Sequence, residues 1–177
     1  MKNITHQTRG FTLIELMIVM ILLSILFAIG VGAFVSTQVK SRDNTRKANL
    51  RAIANTLEMY YNDKGQYPQG DGANGQMIAC YDTGGSGPFD CTPNSVLRDQ
   101  NQTIYMPQVP ADPVSSLRYY YLPSKVGGSQ TYNQYQIYAH LENSQDSMII
   151  SPTPNLKCDT NGSVWCNWGI SSSNTTP

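Results

Sequence analysis

Residues 9–35 read RGFTLIELMIVMILLSILFAIGVGAFV, and this stretch decides the architecture of the chain. From Phe11 to Val35 it holds 25 residues with a single charge, Glu15. A helix rises about 1.5 Å per residue, so this run is about 37 Å long and can cross a hydrocarbon core of about 30 Å. A buried core helix is usually shorter, and the apolar part of a secretory signal spans only about 7–15 residues. We therefore expect residues 11–35 to form a transmembrane or filament-core helix.

The segment Arg9–Leu16, with its Gly10-Phe11 step and Glu15 four residues later, resembles the processing motif of type IV prepilins and type II secretion pseudopilins, which implies cleavage between Gly10 and Phe11. Gly10 has no side chain, so a protease can approach the backbone closely there. Cleavage before Phe11 would leave an amine at the start of an apolar helix, and Glu15 of a neighbouring copy could neutralise it in a low-dielectric place. The alternative for Glu15 is that its carboxylate merely reaches the membrane interface. The alternative for Thr12 is that its hydroxyl bonds only its own helix backbone.

The resemblance to prepilins and pseudopilins has further implications for processing and assembly. The resemblance implies removal of a leader, residues 1–10, by a prepilin peptidase that also N-methylates Phe11. It implies that Glu15, aided by Thr12, pairs with the amine of another subunit. The partners it implies are copies of this chain, other pilins, membrane lipid before assembly, and an inner-membrane platform with a cytoplasmic ATPase.

A second helical pattern follows the apolar run. Leu50, Ile53 and Leu57 recur at spacings of three and four, and Gly65 and Pro68 are suited to end the helix. We assign residues 36–65 to an amphipathic half of the same helix. The expected fold class is α+β, and the resemblance implies a pilin-like lollipop whose helix packs on a small antiparallel head with long loops. Gly30 and Gly32 favour local flexibility in the first half, or are simply tolerated in a membrane helix.

Residues 66–177 are rich in Gly, Pro, Asn, Ser, Thr and Tyr and are expected to form the head. Alternating Tyr and Ile residues predict strands, and Gly-rich segments predict turns and loops. The predicted strands are Arg118–Leu122, Tyr132–Leu141 and Ser147–Ile150, with a hairpin tip at Val126–Ser129. The other expectations are a long loop over Gln69–Gly87, a short helix or irregular segment over Val96–Met106, and a mobile polar tail from Ser171.

The charges are balanced in number but not in position. The chain has 12 basic and 12 acidic residues, so its zero net charge argues against a polybasic binder, and no specific nucleic acid is expected as a partner. The head holds 4 basic and 8 acidic residues, a net charge of −4. The helix carries a basic cluster of Lys40, Arg42, Arg46, Lys47 and Arg51. We interpret this cluster as a solvated face, with lipid headgroups or the acidic heads of neighbouring subunits as its second role.

Four cysteines, Cys80, Cys91, Cys158 and Cys166, all fall in the head. An even number in an exported, loop-rich domain favours disulfides, and four cysteines allow three pairings. The local one, Cys80 with Cys91 and Cys158 with Cys166, is our preferred pairing. Zinc is the rival interpretation, but these spacings suit it poorly. Calcium is bound by major pseudopilins near the C-terminus, and Asp146, Asp159 and Asn161 could supply oxygens. The residues of that loop are not found here, so we expect no cofactor or metal.

The sequence contains no catalytic constellation, and His140 has no nucleophile or carboxylate motif beside it. We therefore expect a structural protein and not an enzyme. The function expected is a subunit of a type IV pilus-like filament, held in the cell membrane with its head outside and then assembled into an extracellular filament. The alternatives are a pseudopilin of a type II secretion or DNA-uptake (competence) system and, more remotely, a membrane-anchored extracellular binding module.

Overall fold

The computed structural model describes residues 10–72, 74–151, 153–173 and 177, without the side chains of residues 29–33. These residues form a long helix and short antiparallel strands, which confirms the α+β fold class. The chain divides into two compact units, Met1–Val39 and Lys40–Pro177. The elements are α1 (Leu13–Lys64), β1 (Gln69–Gly70), β2 (Met77–Cys80), β3 (Phe89–Asp90), β4 (Leu97–Arg98), β5 (Ile104–Met106), β6 (Tyr120–Ser124), β7 (Gln134–Ala139) and β8 (Trp168–Ser171).

Helix α1 ends where the sequence predicts. Its last residue is Lys64, and Gly65 follows with a φ of +69°, a left-handed conformation that glycine adopts without steric cost. The Gly65 N–H donates to the Tyr61 carbonyl at 2.8 Å and so satisfies one of the free carbonyls at the helix end. The chain then turns toward β1 instead of extending the helix.

The strands of the Lys40–Pro177 unit form three small sheets. Their orders are β1-β2-β3, β4-β5 and β6-β7-β8, and all pairs are antiparallel. The predicted hairpin is confirmed, because β6 pairs with β7 through the register Tyr120↔Tyr138. Strand β8 completes this sheet through Tyr138↔Gly169.

The predicted apolar stripe of the helix forms the core of this unit. Leu50 and Leu57 are fully buried, and Ile53 keeps only 4% of its surface exposed. They pack with side chains of the largest sheet, including Tyr121, Tyr135, Ile137, Ala139 and Trp168. The tyrosines bring polar tips into this core, and the hydroxyls of Tyr67 and Tyr135 both donate to Glu58 on α1, at 3.1 and 3.2 Å.

Three predictions for the head are wrong in detail. The third strand of the main sheet is Trp168–Ser171 and not Ser147–Ile150, because Asp146 closes a turn by accepting the N–H groups of Met148 and Ile149. The segment Val96–Met106 is neither helical nor irregular but a bulged pair of strands, since the Asp99 carboxylate accepts the Thr103 N–H and stabilises the turn between them. The segment Gln69–Gly87 is not a single long loop, because it contains β1 and β2. Met77 and Ala79 of β2 are buried.

The polar tail also begins later than expected. Ser171 belongs to β8, and Ser172 is buried, with its N–H donating to the Tyr135 carbonyl at 3.0 Å. The sheet therefore needs this part of the predicted tail. Residues 174–176 of that prediction lie outside the described residues.

The local disulfide pairing is confirmed. Cys80 bonds Cys91 and Cys158 bonds Cys166, across sequence separations of 11 and 8. The second bridge is fully buried and packs with Tyr120 and Tyr138, so it lies against the outer side of the β6-β7 pair. Each bridge closes a short loop in a head whose individual sheets are small.

Replacing both Cys158 and Cys166 with serine should destabilise the Lys40–Pro177 unit. A bridge that closes a loop of this length reduces the entropy of the unfolded chain by an amount worth about 2.5 kcal/mol at 25 °C. We expect a loss of that size in urea unfolding of the full chain held in lipid nanodiscs. The control is the same comparison under reducing conditions, where both chains lose the Cys80–Cys91 bridge and the difference between them should disappear. A loss under about 0.5 kcal/mol, within the range of ordinary surface substitutions, would contradict this assignment.

Candidate functional site

The predicted cleavage point lies in an exposed segment that is not helical. Gly10, Phe11 and Thr12 precede the start of α1 at Leu13, and Phe11 keeps 88% of its surface exposed. A Cβ added at Gly10 would meet nothing within 4 Å, so the packing of the chain itself does not require glycine there. An extended and accessible backbone is what a protease needs. The leader residues 1–9 lie outside the described residues.

Thr12 and Glu15 form a reciprocal cap on the first turn of α1. The Thr12 backbone N–H and its hydroxyl each donate to Glu15 Oε2 at 2.9 Å, and the Glu15 N–H donates to Thr12 Oγ1 at 3.3 Å. With Leu13 as the first helical residue, Thr12 is the N-cap and Glu15 the third residue, which is a capping box. Glu15 therefore has a local role in starting the helix. Thr12 also bonds the first turn of its own helix, which is one of the two roles that the sequence analysis considers for it.

The apolar part of α1 is uncovered. Its large apolar side chains between Leu13 and Phe27 keep from 47% (Val19) to 82% (Leu13) of their surface exposed. Such a surface marks an interaction site with other protein or with lipid. The helix continues through Gly30 and Gly32. In the described part of the chain, no helix meets the combined requirements of length and apolarity for crossing a membrane.

Among the described residues, the most deeply buried charged side chain is that of Arg46 on α1. Its side chain has no exposed surface, and its guanidinium contacts three carboxylates: Asp112 at 2.8 Å, Asp43 at 2.8 Å and Glu142 at 2.7 Å. Asp43 also accepts the backbone N–H groups of Glu142 and Asn143, at 3.0 and 2.9 Å. We call Asp43, Arg46, Asp112 and Glu142 the buried ion cluster. It joins α1 to the segments around residues 112 and 142, which are far apart in sequence.

The interpretation of the basic cluster as a solvated face is wrong for three of its five members. Besides Arg46, Arg42 donates to both carboxylate oxygens of Glu142, and Lys47 lies 2.6 Å from Asp146. Lys40 and Arg51 remain exposed. The acidic partners thus lie in the same chain, and the positive and negative regions of the sequence meet within one fold. The sequence does not predict the roles of Asp43, Asp112 and Glu142. The three-residue spacing of Asp43 and Arg46 is the one local pattern that indicates an ion pair here.

The two arginines shift the acid–base behaviour of Glu142. Its hydrogen bond with Arg42, followed by the bond with Arg46, lowers its pKa from 4.5 to about 2, although burial acts in the opposite direction. Because the folded pKa lies below the unfolded one, the stabilisation is complete above about pH 4.5. It is lost as the pH falls from there through about 2.

Acid unfolding of the Glu142→Gln variant should therefore reveal this contribution. At pH 7 we expect the variant to be less stable than the wild type, by an amount on the order of 2–3 kcal/mol. The difference should shrink steadily as the pH is lowered from about 4.5 toward 2. Thermal unfolding of both chains across this pH range measures it. A difference that stays constant with pH would show that Glu142 does not act through its charge.

The calcium candidates are engaged by protein donors. Asp146 bonds Lys47 and the Met148 N–H, and Asp159 accepts from Ser163 and from the Val164 N–H at 2.7 to 3.0 Å. Asp159 also lies in the turn closed by the second disulfide, and Asn161 in that turn is exposed. Among the described residues, no group of three or more His, Cys, Asp or Glu is arranged to hold a metal ion. His140 contacts the Trp165 carbonyl through Nδ1 at 2.8 Å.

Comparison with known proteins agrees with the N-terminal motif. The prokaryotic N-terminal methylation motif matches residues 5–31. The type IV major pilin protein PilA of Myxococcus xanthus is 39% identical over 61 residues, which are 34% of this chain and 28% of the pilin. The type II secretion system core protein G of Pseudomonas aeruginosa is 29% identical over 128 residues, 72% of this chain and 83% of that protein. Its Vibrio cholerae counterpart is 35% identical over 71 residues, 40% of this chain and 48% of that protein.

The matched region thus spans about a quarter of the Myxococcus pilin, about half of the Vibrio protein and most of the Pseudomonas protein. No solved structure matches the chain. The cap at Thr12 and Glu15 and the exposed apolar side chains from Leu13 to Phe27 both lie within residues 5–31, which the methylation motif matches. The chain carries the prokaryotic N-terminal methylation motif, and it is similar to a type IV major pilin and to type II secretion system core proteins G.

Proposed function

We propose that this protein is a structural subunit of a type IV pilus-like filament. One observation carries the proposal: an accessible Gly10-Phe11 step leads directly into a capped helix whose apolar side chains nothing in the described chain covers. A prepilin peptidase cleaves between Gly10 and Phe11 and methylates the new amine. The mature subunit then waits in the membrane with its head outside the cytoplasm.

Assembly in this proposal is a packing reaction and involves no catalytic turnover. A platform with a cytoplasmic ATPase moves the subunit out of lipid, and the apolar parts of α1 pack against those of other copies and of other pilins. Because each copy uses one surface to contact a different surface of the next, the contact does not close and a fibre results. The carboxylate of Glu15 pairs with the amine of a neighbouring Phe11 and sets the register.

The second candidate is a pseudopilin of a type II secretion system. The specific support is the alignment with the Pseudomonas core protein G, which extends over 128 residues and therefore includes much of the head. A pseudopilin would use the same cleavage, the same apolar helix and the same packing. It would differ in where the fibre ends, because its filament serves secretion and is not a surface appendage.

Electron microscopy of the producing cells tests the proposal. We expect surface filaments in cells that make the protein, and we expect mass spectrometry of the sheared filaments to identify its head peptides. The matched control is a Gly10→Val variant, which keeps the head and helix but blocks close approach of the peptidase. Filaments that are unchanged in number and composition when the gene is deleted would contradict the pilus assignment. Loss of protein secretion in that deletion strain would support the pseudopilin instead.

A further inference from the structure

The Lys40–Pro177 unit contains a partly enclosed cavity of about 210 Å³. Residues of α1, β2, β6, β7 and the segment 109–119 line it. Most of the lining is apolar, and its larger side chains include those of Ile53, Met77, Val109, Leu117, Tyr121 and Ile137. Such a lining favours an apolar occupant, because water needs polar partners to fill a cavity.

One buried polar atom at this cavity, the Nε of Arg118, has no hydrogen-bond partner among the described residues. A buried N–H without an acceptor is unfavourable, and a guanidinium is suited to hold a carboxylate through two parallel hydrogen bonds. Asp112 also lines the cavity, but both of its carboxylate oxygens are bound by Arg46 at 2.8 and 2.9 Å. Asp112 accepts no hydrogen bond from the Nε of Arg118.

We propose that this cavity binds a small carboxylic acid with a compact apolar body. The carboxylate accepts hydrogen bonds from Arg118, and Ser115 and Thr160 add polar residues to the lining of the same cavity. An apolar cavity of about 150 Å³ holds a benzene molecule. The larger volume here therefore suits a single ring or a short branched chain that carries a carboxylate, and it excludes a long acyl chain.

A fluorine NMR titration of the full chain in lipid nanodiscs tests this proposal. The two ligands are 4-fluorobenzoate and its neutral counterpart 4-fluorobenzyl alcohol, and empty nanodiscs correct for partition into lipid. We expect the benzoate to bind at least about ten-fold more tightly than the alcohol, because only the benzoate offers charge-assisted hydrogen bonds to Arg118. Arg118→Gln should remove this difference.

The matched control is Arg98→Gln. Arg98 also has a buried Nε without a partner, but it lies away from this cavity, beside Cys80 and Phe89. We expect its replacement to change benzoate affinity by less than about two-fold. Equal binding of the two ligands to the wild type would overturn the proposal in favour of a purely apolar occupant. If neither the benzoate nor the alcohol binds, the proposal is overturned as well. Both of these contradicting results are measured on the wild type, so the test stands even if Arg118→Gln does not fold.

Discussion

Replacing Arg46 with methionine is expected to lower the free energy of unfolding of the Lys40–Pro177 unit by about 3–5 kcal/mol. The reason is the set of carboxylates that the guanidinium leaves behind. Asp43 and Asp112 have at most 3% of their side chains exposed, so without Arg46 their charges stay buried with too few donors. A loss of this size is a large fraction of the stability of an ordinary domain, about 5–15 kcal/mol.

Urea unfolding of the full chain in nanodiscs, followed by tyrosine and tryptophan near-ultraviolet circular dichroism, measures this loss. The control is Arg51→Met, which removes the same group from an exposed position on the same helix. We expect the free energy of unfolding of Arg51→Met to lie within about 0.5 kcal/mol of that of the wild type. If Arg46→Met behaved like Arg51→Met, the buried ion cluster would not hold the helix to the head as its geometry indicates.

The second large effect is expected from Glu15→Gln in filament assembly. Glutamine at the third helical position also completes a capping box, so the variant keeps the local cap of α1 and loses only the charge. If a neighbouring amine needs that charge in a low-dielectric environment, the variant should remain in the membrane and assemble few or no filaments. An immunoblot of sheared filaments and of membranes gives the ratio of assembled to membrane-bound subunit, which is the quantity that should fall.

Thr12→Ala is the complementary control. It removes the hydroxyl that both donates to Glu15 and accepts the Glu15 N–H, but it leaves the charge in place. Loss of such a cap costs about 1 kcal/mol in helix stability. We expect this variant to assemble filaments at a level close to the wild type. The opposite pattern, with Glu15→Gln assembling normally and Thr12→Ala failing, would assign the motif to helix capping alone.

The sequence anticipates the features of this fold that depend on local patterns. The helix boundary at Gly65, the stripe of Leu50, Ile53 and Leu57, and the β6-β7 hairpin follow from spacing and from glycine. The cysteine pairing also follows, because both bridges close short loops. In each case the residues that decide the outcome lie within a few turns or one hairpin of one another.

The features that the sequence does not anticipate depend on contacts between distant segments. Arg46 looks like any exposed helix arginine until Asp112 and Glu142, which are 66 and 96 positions away, are placed beside it. The sequence does not predict strand β8, because Trp168–Ser171 has only four residues and includes a glycine, which strands disfavour. Pairing with β7 makes this segment a strand. No pattern in the sequence singles out Arg118. What sets it apart is that its buried Nε, beside a cavity, has no hydrogen-bond acceptor among the described residues.

The mass of the mature N-terminus tests the central claim most directly. Intact-protein and peptide mass spectrometry of the chain purified from membranes should show a first residue of N-methylated Phe11 and no residues 1–10. Both disulfides should be present in the same material. A chain that begins at Met1, or that has been cut near Phe34 as a secretory signal would be, would contradict processing at Gly10 and with it the assignment to a filament.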